Sequence, residues 1–382
     1  MATLGELAEF AGIKNPLNDL LNGHPIPAYQ LLIDGNDIST AIRPRLMSMT
    51  ITDNRGFSAD TIEVTLDDSD GLLAMPRRGA TMQAFIGWQG QALVDKGTFN
   101  IDEVEHSGAP DSLSIRGKSA DLSGGMNKLR ERSWHYETIG AIVEQLAARY
   151  GLTPSVGEAF KGMLIDHIDQ TNESDLAFLT RLATEQDAIA TVKSGRLMFI
   201  KAGNGTTASG KPLPAITITR GDGDQHRFAV ADRDAYTGVT AYWQDNKEAE
   251  KKKVEVKRKK KTKPKEEQPL PPGVVVNKQE HELLVGSNEN VKELRHVYTS
   301  QSNAQRAARS EWEKLQRGVA DFQITLAMGR PELYPEQPTT VRGFKPQIDE
   351  ADWLLTQVVH DITDQGYTNR IQLEVKLEEL PE

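Results

Sequence analysis

The chain has 382 residues, beyond the length at which one hydrophobic core usually keeps growing, so roughly two to four domains are expected. It contains no cysteine, which excludes a disulfide framework, thiolate zinc sites and cysteine nucleophiles. The net charge is −10, yet Lys247 to Gln268 holds eleven Lys or Arg against five Glu, a local +6 that leaves −16 on the rest and disfavours nucleic acid on the folded parts.

Residues 1–27 mix short apolar groups with Gly12, Pro16, Gly23, Pro25 and Pro27 and read as an N-terminal arm. With acids at Glu6 and Glu9 and no long apolar run, the arm predicts neither a signal peptide nor membrane insertion. From Tyr29 the hydrophobic period becomes two. Tyr29 to Ile33, Leu46 to Thr52, Thr61 to Leu66, Thr81 to Trp88, Gly97 to Val104 and Ser112 to Arg116 read as strands between turn signals such as Asp34-Gly35-Asn36. Strands this close, without helices between them, predict an antiparallel barrel or sandwich over residues 28–120.

At Asp121 the pattern changes to a mixed α/β domain, expected over 121–212 and 246–317. Thr138 can cap a helix whose Ile139, Ile142, Val143, Leu146 and Tyr150 keep helical spacing, and Gly151 can close it in the left-handed conformation. Trp134-His135-Tyr136-Glu137 then reads as the approach to that helix. In the next polar segment Asn172 is the expected cap, with Asp175 returning the bond, and Leu176, Leu179, Leu182 and Ala183 share one helical face. A hairpin from Ala190 to Lys201, turning at Ser194-Gly195, and a Gly-rich link from Gly203 to Pro214 follow.

A second barrel is expected over 213–245 and 318–378. Its strand patterns are Ala215 to Arg220, His226 to Ala231, Tyr236 to Trp243, Phe322 to Ala327, Thr339 to Phe344, Trp353 to Ile362 and Thr368 to Leu377. The lysine- and proline-rich stretch 247–272 is read as a disordered basic insertion, too charged to bury a core. Ser302 and Gln305 have capping-box spacing before a helix whose Ala304, Ala307, Ala308, Trp312 and Leu315 form one face. A faint repeat links the two strand regions. Met75-Pro76, a strand, Val104-Glu105-His106, a turn and an alternating strand are echoed by Tyr334-Pro335, a strand, Val358-Val359-His360, Gly366 and another alternating strand.

The candidate chemistry is sparse. His360, Asp361 and Asp364 sit at a strand end and its turn, where Asp and Gly are expected on conformational grounds, and Glu105-His106 receives the same reading. Gly221-Asp222-Gly223-Asp224 lacks the regular oxygen ligands of a calcium loop and is read as a turn. No Gly-x-Ser-x-Gly or His-Glu-x-x-His pattern occurs. No catalytic, cofactor or metal residue is therefore assigned. A lysine run without interleaved aromatics could hold phosphates but not stack bases, so no specific nucleic acid is expected.

One segment carries a resemblance. Gln170, Asn172, Glu173, Ser174, Asp175, Leu176, Phe178, Leu179, Arg181 and Leu182, in the order Gln-x-Asn-Glu-Ser-Asp-Leu-x-Phe-Leu-x-Arg-Leu, are similar to the signature segment of the late control protein D family of phage baseplate hub proteins. The hub part of type VI secretion spike proteins is related to it. Ser119-Ala120-Asp121-Leu122, Ser133-Trp134, Thr138 to Val143, Leu315 to Gly318, Gly343-Phe344, Ile348-Asp349 and Trp353 extend the likeness over most of the chain.

The resemblance implies a contractile-tail baseplate hub with two antiparallel tail-tube-like β-barrels and a mixed α/β domain between them. It implies a non-enzymatic homotrimer whose pseudo-sixfold ring adapts the sixfold tail tube to a threefold spike. Type VI spikes continue into a needle and this chain ends at Glu382, so the trimeric tail spike is expected to be a separate polypeptide. The other implied partners are the tail tube protein, baseplate wedge proteins and the tape measure protein. The implied location is the virion tail, assembled in the host cytoplasm, with no cofactor. The alternative, from a different class, is a tail-associated cell-wall hydrolase acting through scattered carboxylates.

Overall fold

Alternation of inward and outward side chains builds the first module. The chain was analysed as a computed structural model that describes residues 25–119, 125–193, 195–230, 236, 238–245, 250–257, 291–298, 300–318 and 320–376. Strands β1 (Pro27–Ile33), β2 (Asn36–Asp37), β3 (Leu46–Asn54), β4 (Thr61–Asp67), β5 (Thr81–Trp88), β6 (Val94–Ser107) and β7 (Ser112–Ser119) pair antiparallel in the order β3-β4-β7-β6-β5-β1-β2. In β4, Ile62, Val64 and Leu66 point inward while Glu63 and Thr65 point out, as period two requires. The sheet curls around Leu31, Met49, Ile51, Met82, Ile86 and Phe99. At the β1–β2 turn, Asp34 and Gly35 both have positive φ, the conformation that tight hairpins favour.

The mixed domain comprises β8 (Leu129–Thr138), α1 (Ile139–Arg149), β9 (Thr153–Val156), β10 (Leu164–Ser174), α2 (Asp175–Glu185), β11 (Ala188–Lys193) and β12 (Arg196–Lys201). β8 pairs with β10, and β9, β12 and β11 form a second small sheet. Thr138 caps α1 by accepting from the Ala141 amide at 3.1 Å, and Gly151 takes the left-handed conformation after it. The helices bury Ile142, Leu146, Phe178, Leu179 and Leu182 against Phe199 and Trp134, with the Trp134 and Phe178 rings stacked at 5.9 Å. Trp134 to Glu137, expected as the approach to α1, lead directly into it as the last part of β8, paired with β10.

Beyond the Gly-rich link come β13 (Ile216–Thr219), β14 (Gly223–Val230), β15 (Gly238–Asp245), β16 (Glu250–Lys257), β17 (Val291–Tyr298), α3 (Gln301–Arg317), β18 (Ala320–Leu326), β19 (Pro338–Arg342), β20 (Asp352–Thr363) and β21 (Gly366–Val375). The second module runs β14-β18-β21-β20-β19-β13 around Ile218, Phe322, Ile324, Trp353 and Leu373. Three expectations need correction here. Residues 238–245, assigned to the second barrel, pair with β16 and β17 and pack on α3 around Val239, Ala241, Ala308 and Trp312. Within the expected basic insertion, 250–257 form a strand. Lys252, Val254 and Val256 alternate with the more exposed Lys251, Lys253 and Glu255, so the valines keep an apolar seam beside the half-buried Lys252 stem. The α3 cap is Ser300, whose hydroxyl accepts from the Asn303 amide at 3.3 Å, so the helix starts before Ser302. Residues 1–24, Ser194, 246–249 and 258–290, including the rest of the expected insertion, lie outside the described residues.

The two modules share one plan. β3, β4, β7, β6, β5 and β1 of the first follow the ladder order of β14, β18, β21, β20, β19 and β13 of the second. Their irregularities coincide as well. β6 bulges between Ile101 and Glu103 where β20 bulges between Leu355 and Gln357, and β3 shifts between Leu46 and Ser48 where β14 shifts between Gly223 and Gln225. Gly79 and Glu336, both at positive φ, donate to the equivalent carbonyls of Ile101 and Leu355 at 2.7 and 2.8 Å. Only the last pairing differs, because β1 is antiparallel to β5 whereas β13 is parallel to β19.

β3 and β20 join the modules edge to edge in an antiparallel ladder from Ser48↔Thr363 to Asn54↔Gln357, giving one 13-stranded sheet. The tip of the β20–β21 hairpin carries Ile362 and Tyr367 into the first module's core. Leu179 and Leu182 are fully buried in the mixed domain, so Leu179→Ala should cost about 2–5 kcal/mol through lost contacts and a residual cavity. Denaturant unfolding checks this, and an unchanged midpoint would show that α2 does not hold that core together.

Candidate functional site

The signature segment is a strand-to-helix corner that buries a charge. Asn172 does not cap α2. It is exposed, with a φ of 48°, at the point where β10 shifts register between Gln170 and Glu173. The cap is Ser174, whose hydroxyl accepts from the Ala177 amide at 3.1 Å, because β10 stays paired with β8 up to that residue. Asp175, the first helical residue, has no exposed side-chain surface and lies at the positive end of α2. It accepts from Arg149 and Gln170, each at 2.7 Å, and from the Tyr150 hydroxyl, with Arg130 at 3.1 Å. Burial opposes the charge, but the bonds from Tyr150, Gln170 and Arg149 outweigh it and hold the carboxyl below its ordinary range.

The other signature residues close the corner. Glu173 grips Arg181 through two contacts at 2.8 and 3.1 Å, and Arg181 also donates to the Asp169 carbonyl at 2.7 Å. Phe178, Leu179 and Leu182 are buried, and Leu176 is half-buried. Together these residues hold a corner in place. None of them is arranged for group transfer.

A second polar constellation lies where the modules meet. Asp53 of β3 sits 3.0 Å from the Lys96 ammonium and 3.4 Å from Nε2 of His360 on β20, and all three side chains are buried. Lys96 also donates to the Leu333 carbonyl at 3.1 Å. The Tyr367 hydroxyl at 2.7 Å and the Asn369 amide at 2.8 Å both face Nδ1 of His360, which assigns the ring proton to Nε2, toward Asp53. Burial works against the Asp53 charge, but His360 and Lys96 outweigh it and keep the carboxyl well below its usual range. Burial, reinforced by the Lys96 charge, pulls the His360 imidazole down, so it is held neutral.

Beside this cluster runs a chain of ion pairs joining every part of the molecule described so far. Arg55, just after β3, bridges Glu336 and Glu374 of the second module. Arg317, at the end of α3, forms a fork on Asp187 of the mixed domain, one arm at 2.6 Å, and reaches Glu374 at 3.5 Å. Burial raises Glu336 and Asp187, and their arginines offset this only in part. A polar depression of about 480 Å³, lined by Arg55, Arg317, Gln357, Gln372 and Glu374, opens beside it. Among the described residues no group of His, Asp or Glu is arranged to hold a metal ion, and no helix is long and apolar enough to cross a membrane.

The sequence singled out His360, Asp361 and His106 and read them as ordinary strand-end residues. The structure brings His360 to Asp53 and Lys96, whereas His106, its counterpart in the first module, faces Asp68 at 3.4 Å. Sequence reading missed Asp53, Lys96, Arg55, Arg317 and Glu336. Charge within or beside apolar elements would have been the signal, but the partners lie from 43 positions apart for Asp53 and Lys96 to 319 for Arg55 and Glu374.

A doubled strand module with a mixed domain attached is a fold shared with solved tail proteins. The 43 kDa tail protein of prophage MuSo2 from Shewanella oneidensis has it, with a TM-score of 0.63 at 14% identity over 91% of this chain and 98% of that one. Residues 54–366 match the family described as phage tail baseplate hub (GPD). The probable baseplate hub proteins of Escherichia phages 186 and P2 are each 49% identical, over 366 and 367 residues, covering 93% of this chain and 94% of theirs. The chain belongs to the phage tail baseplate hub family.

Two outcomes follow for the inter-module cluster. The folded His360 pKa lies below the unfolded value of about 6.5, so on acidification the unfolded chain takes up the proton first and stability falls from about pH 7 downward. Asp53 loses its contribution in the same direction, but only below about pH 5. His360→Gln should therefore shrink the drop in Tm between pH 7.5 and 5.5, and equal drops in variant and parent would contradict the buried neutral imidazole. Arg317→Ala strands the Asp187 carboxylate and should cost about 3–5 kcal/mol in a denaturant titration.

Proposed function

We propose that the chain is the structural hub of a contractile phage tail baseplate, a homotrimer without catalytic activity. Its two tail-tube-like barrels then form a pseudo-sixfold ring. The observation that carries this reading is the doubled module, with matching ladder order and matching bulges, fused edge to edge within one chain. Two equivalent modules per chain and threefold closure present six similar faces. Such a ring can stack on a sixfold tail tube on one side and accept a threefold spike on the other. A fused pair keeps that match rigid, because the β3–β20 ladder and the Arg55–Glu336–Glu374 bridge resist hinging.

In this reading residues 28–120 make one barrel, and the second comes from the segments around β13–β14 and β18–β21. The signature corner around Asp175 braces the mixed domain between them. The spike is a separate trimer, the wedge proteins and tape measure protein are neighbours, and the site of action is the virion tail. Sedimentation of the purified protein, alone and with its spike, should find a particle of three times the chain mass. A monomer under both conditions would contradict the reading.

A further inference from the structure

Within one chain, an edge of the first module meets an edge of the second through β3 and β20. The shared ladder order makes β14 the counterpart of β3 and β6 the counterpart of β20. Each chain therefore holds the parts of two such joints and closes only one. Among the described residues β14 pairs with β18 alone, and Asp102–Ser107 of β6 with β7 alone.

Exposure follows the same division. Met49, Ile51 and Asp53 of β3 are buried, whereas at the equivalent places on β14 His226 is exposed, Phe228 is half-buried and Val230 is 36% exposed. His360 of β20 is buried, while His106 of β6 is exposed. Positions covered at the closed joint are open at the other. An unpaired strand edge with apolar side chains beside it is a template for another strand.

We infer that β14 of one chain pairs antiparallel with the distal half of β6 in a second copy of this chain. Carrying the Val358↔Asp53, Val359↔Thr52, His360↔Ile51 and Asp361↔Thr50 pairs over to their counterparts sets the register. Val104 then faces Val230, Glu105 faces Ala229, His106 faces Phe228 and Ser107 faces Arg227. Where the internal joint has a 2.8 Å bond from Thr50 to Asp361, the second joint sets Arg227 diagonally beside Glu105, opposite charges within reach on one face. The two surfaces differ, so the contact is head-to-tail, and threefold closure of it gives a ring. This rests on the trimer reading and adds to it the strands, register and charges of the interface.

The absence of cysteine makes the test direct. Residues facing each other across antiparallel strands lie about 4.5–5.5 Å apart at Cα, inside the span of a disulfide. Oxidation of the Ser107→Cys/Arg227→Cys variant should give covalent dimers and trimers on a non-reducing gel, dispersed by reductant, while each single variant cannot form a covalent trimer. Thr50→Cys/Asp361→Cys, the same geometry at the internal joint, should oxidise within one chain. Separately, Arg227→Glu should lower the trimer fraction in sedimentation and Glu105→Arg in the same chain should restore it. Trimers by sedimentation, with no covalent species from Ser107→Cys/Arg227→Cys and no effect of Arg227→Glu, would overturn the joint and leave the trimer standing. A monomer by sedimentation would remove both.

Discussion

The ladder between β3 and β20 is the constraint on which the rest of the structure depends. It joins residues about three hundred positions apart, turns a seven-stranded and a six-stranded module into one sheet, and leaves the mixed domain and α3 to pack around the fixed pair. Backbone bonds alone would leave such a joint slippery, since a strand edge accepts more than one register. Register is set by side chains. Asp53 finds His360 and Lys96 finds the Leu333 carbonyl only in the observed alignment, and Ile362 and Tyr367 find the first module's core only if the hairpin tip reaches it.

Buried charge is costly, and here it gathers where separate parts of the chain must agree. Arg317, Asp187, Glu374, Arg55 and Glu336 belong to four different parts of the fold, and each would be stranded if its neighbour moved away. The signature corner repeats the device on a smaller scale, with Asp175 held by Arg149 and Tyr150 at the end of α1, Gln170 of β10 and Arg130 of β8. In both places a charge that is stable only with every partner present rewards a single arrangement. The modules therefore cannot shift without exposing unpaired charge.

Much of the fold was legible because it rests on local alternation. The strands of the first module, the Thr138 cap and the echo of Val104-Glu105-His106 in Val358-Val359-His360 could all be read from neighbouring residues. What escaped depends on partners distant in the chain. Asn172 resembles a cap, but β10 stays paired with β8 as far as Ser174, so the helix starts later. β15 looks like a barrel strand, yet the sheet it joins is decided by β16 and β17. β16 was hidden by its lysines, whose charge masked the alternation of Val254 and Val256. The site was least legible, since neither Asp53 nor Lys96 has any local feature that points to His360.

The claim on which everything functional turns is that two equivalent modules in each chain arrange themselves as six around one axis. End-on electron micrographs of the isolated protein, averaged without imposed symmetry, test it most directly. A ring with a central hole, whose rotational power has a strong sixfold component over a threefold one, is the expected result. Particles without a ring, or a ring with threefold power alone, would contradict it.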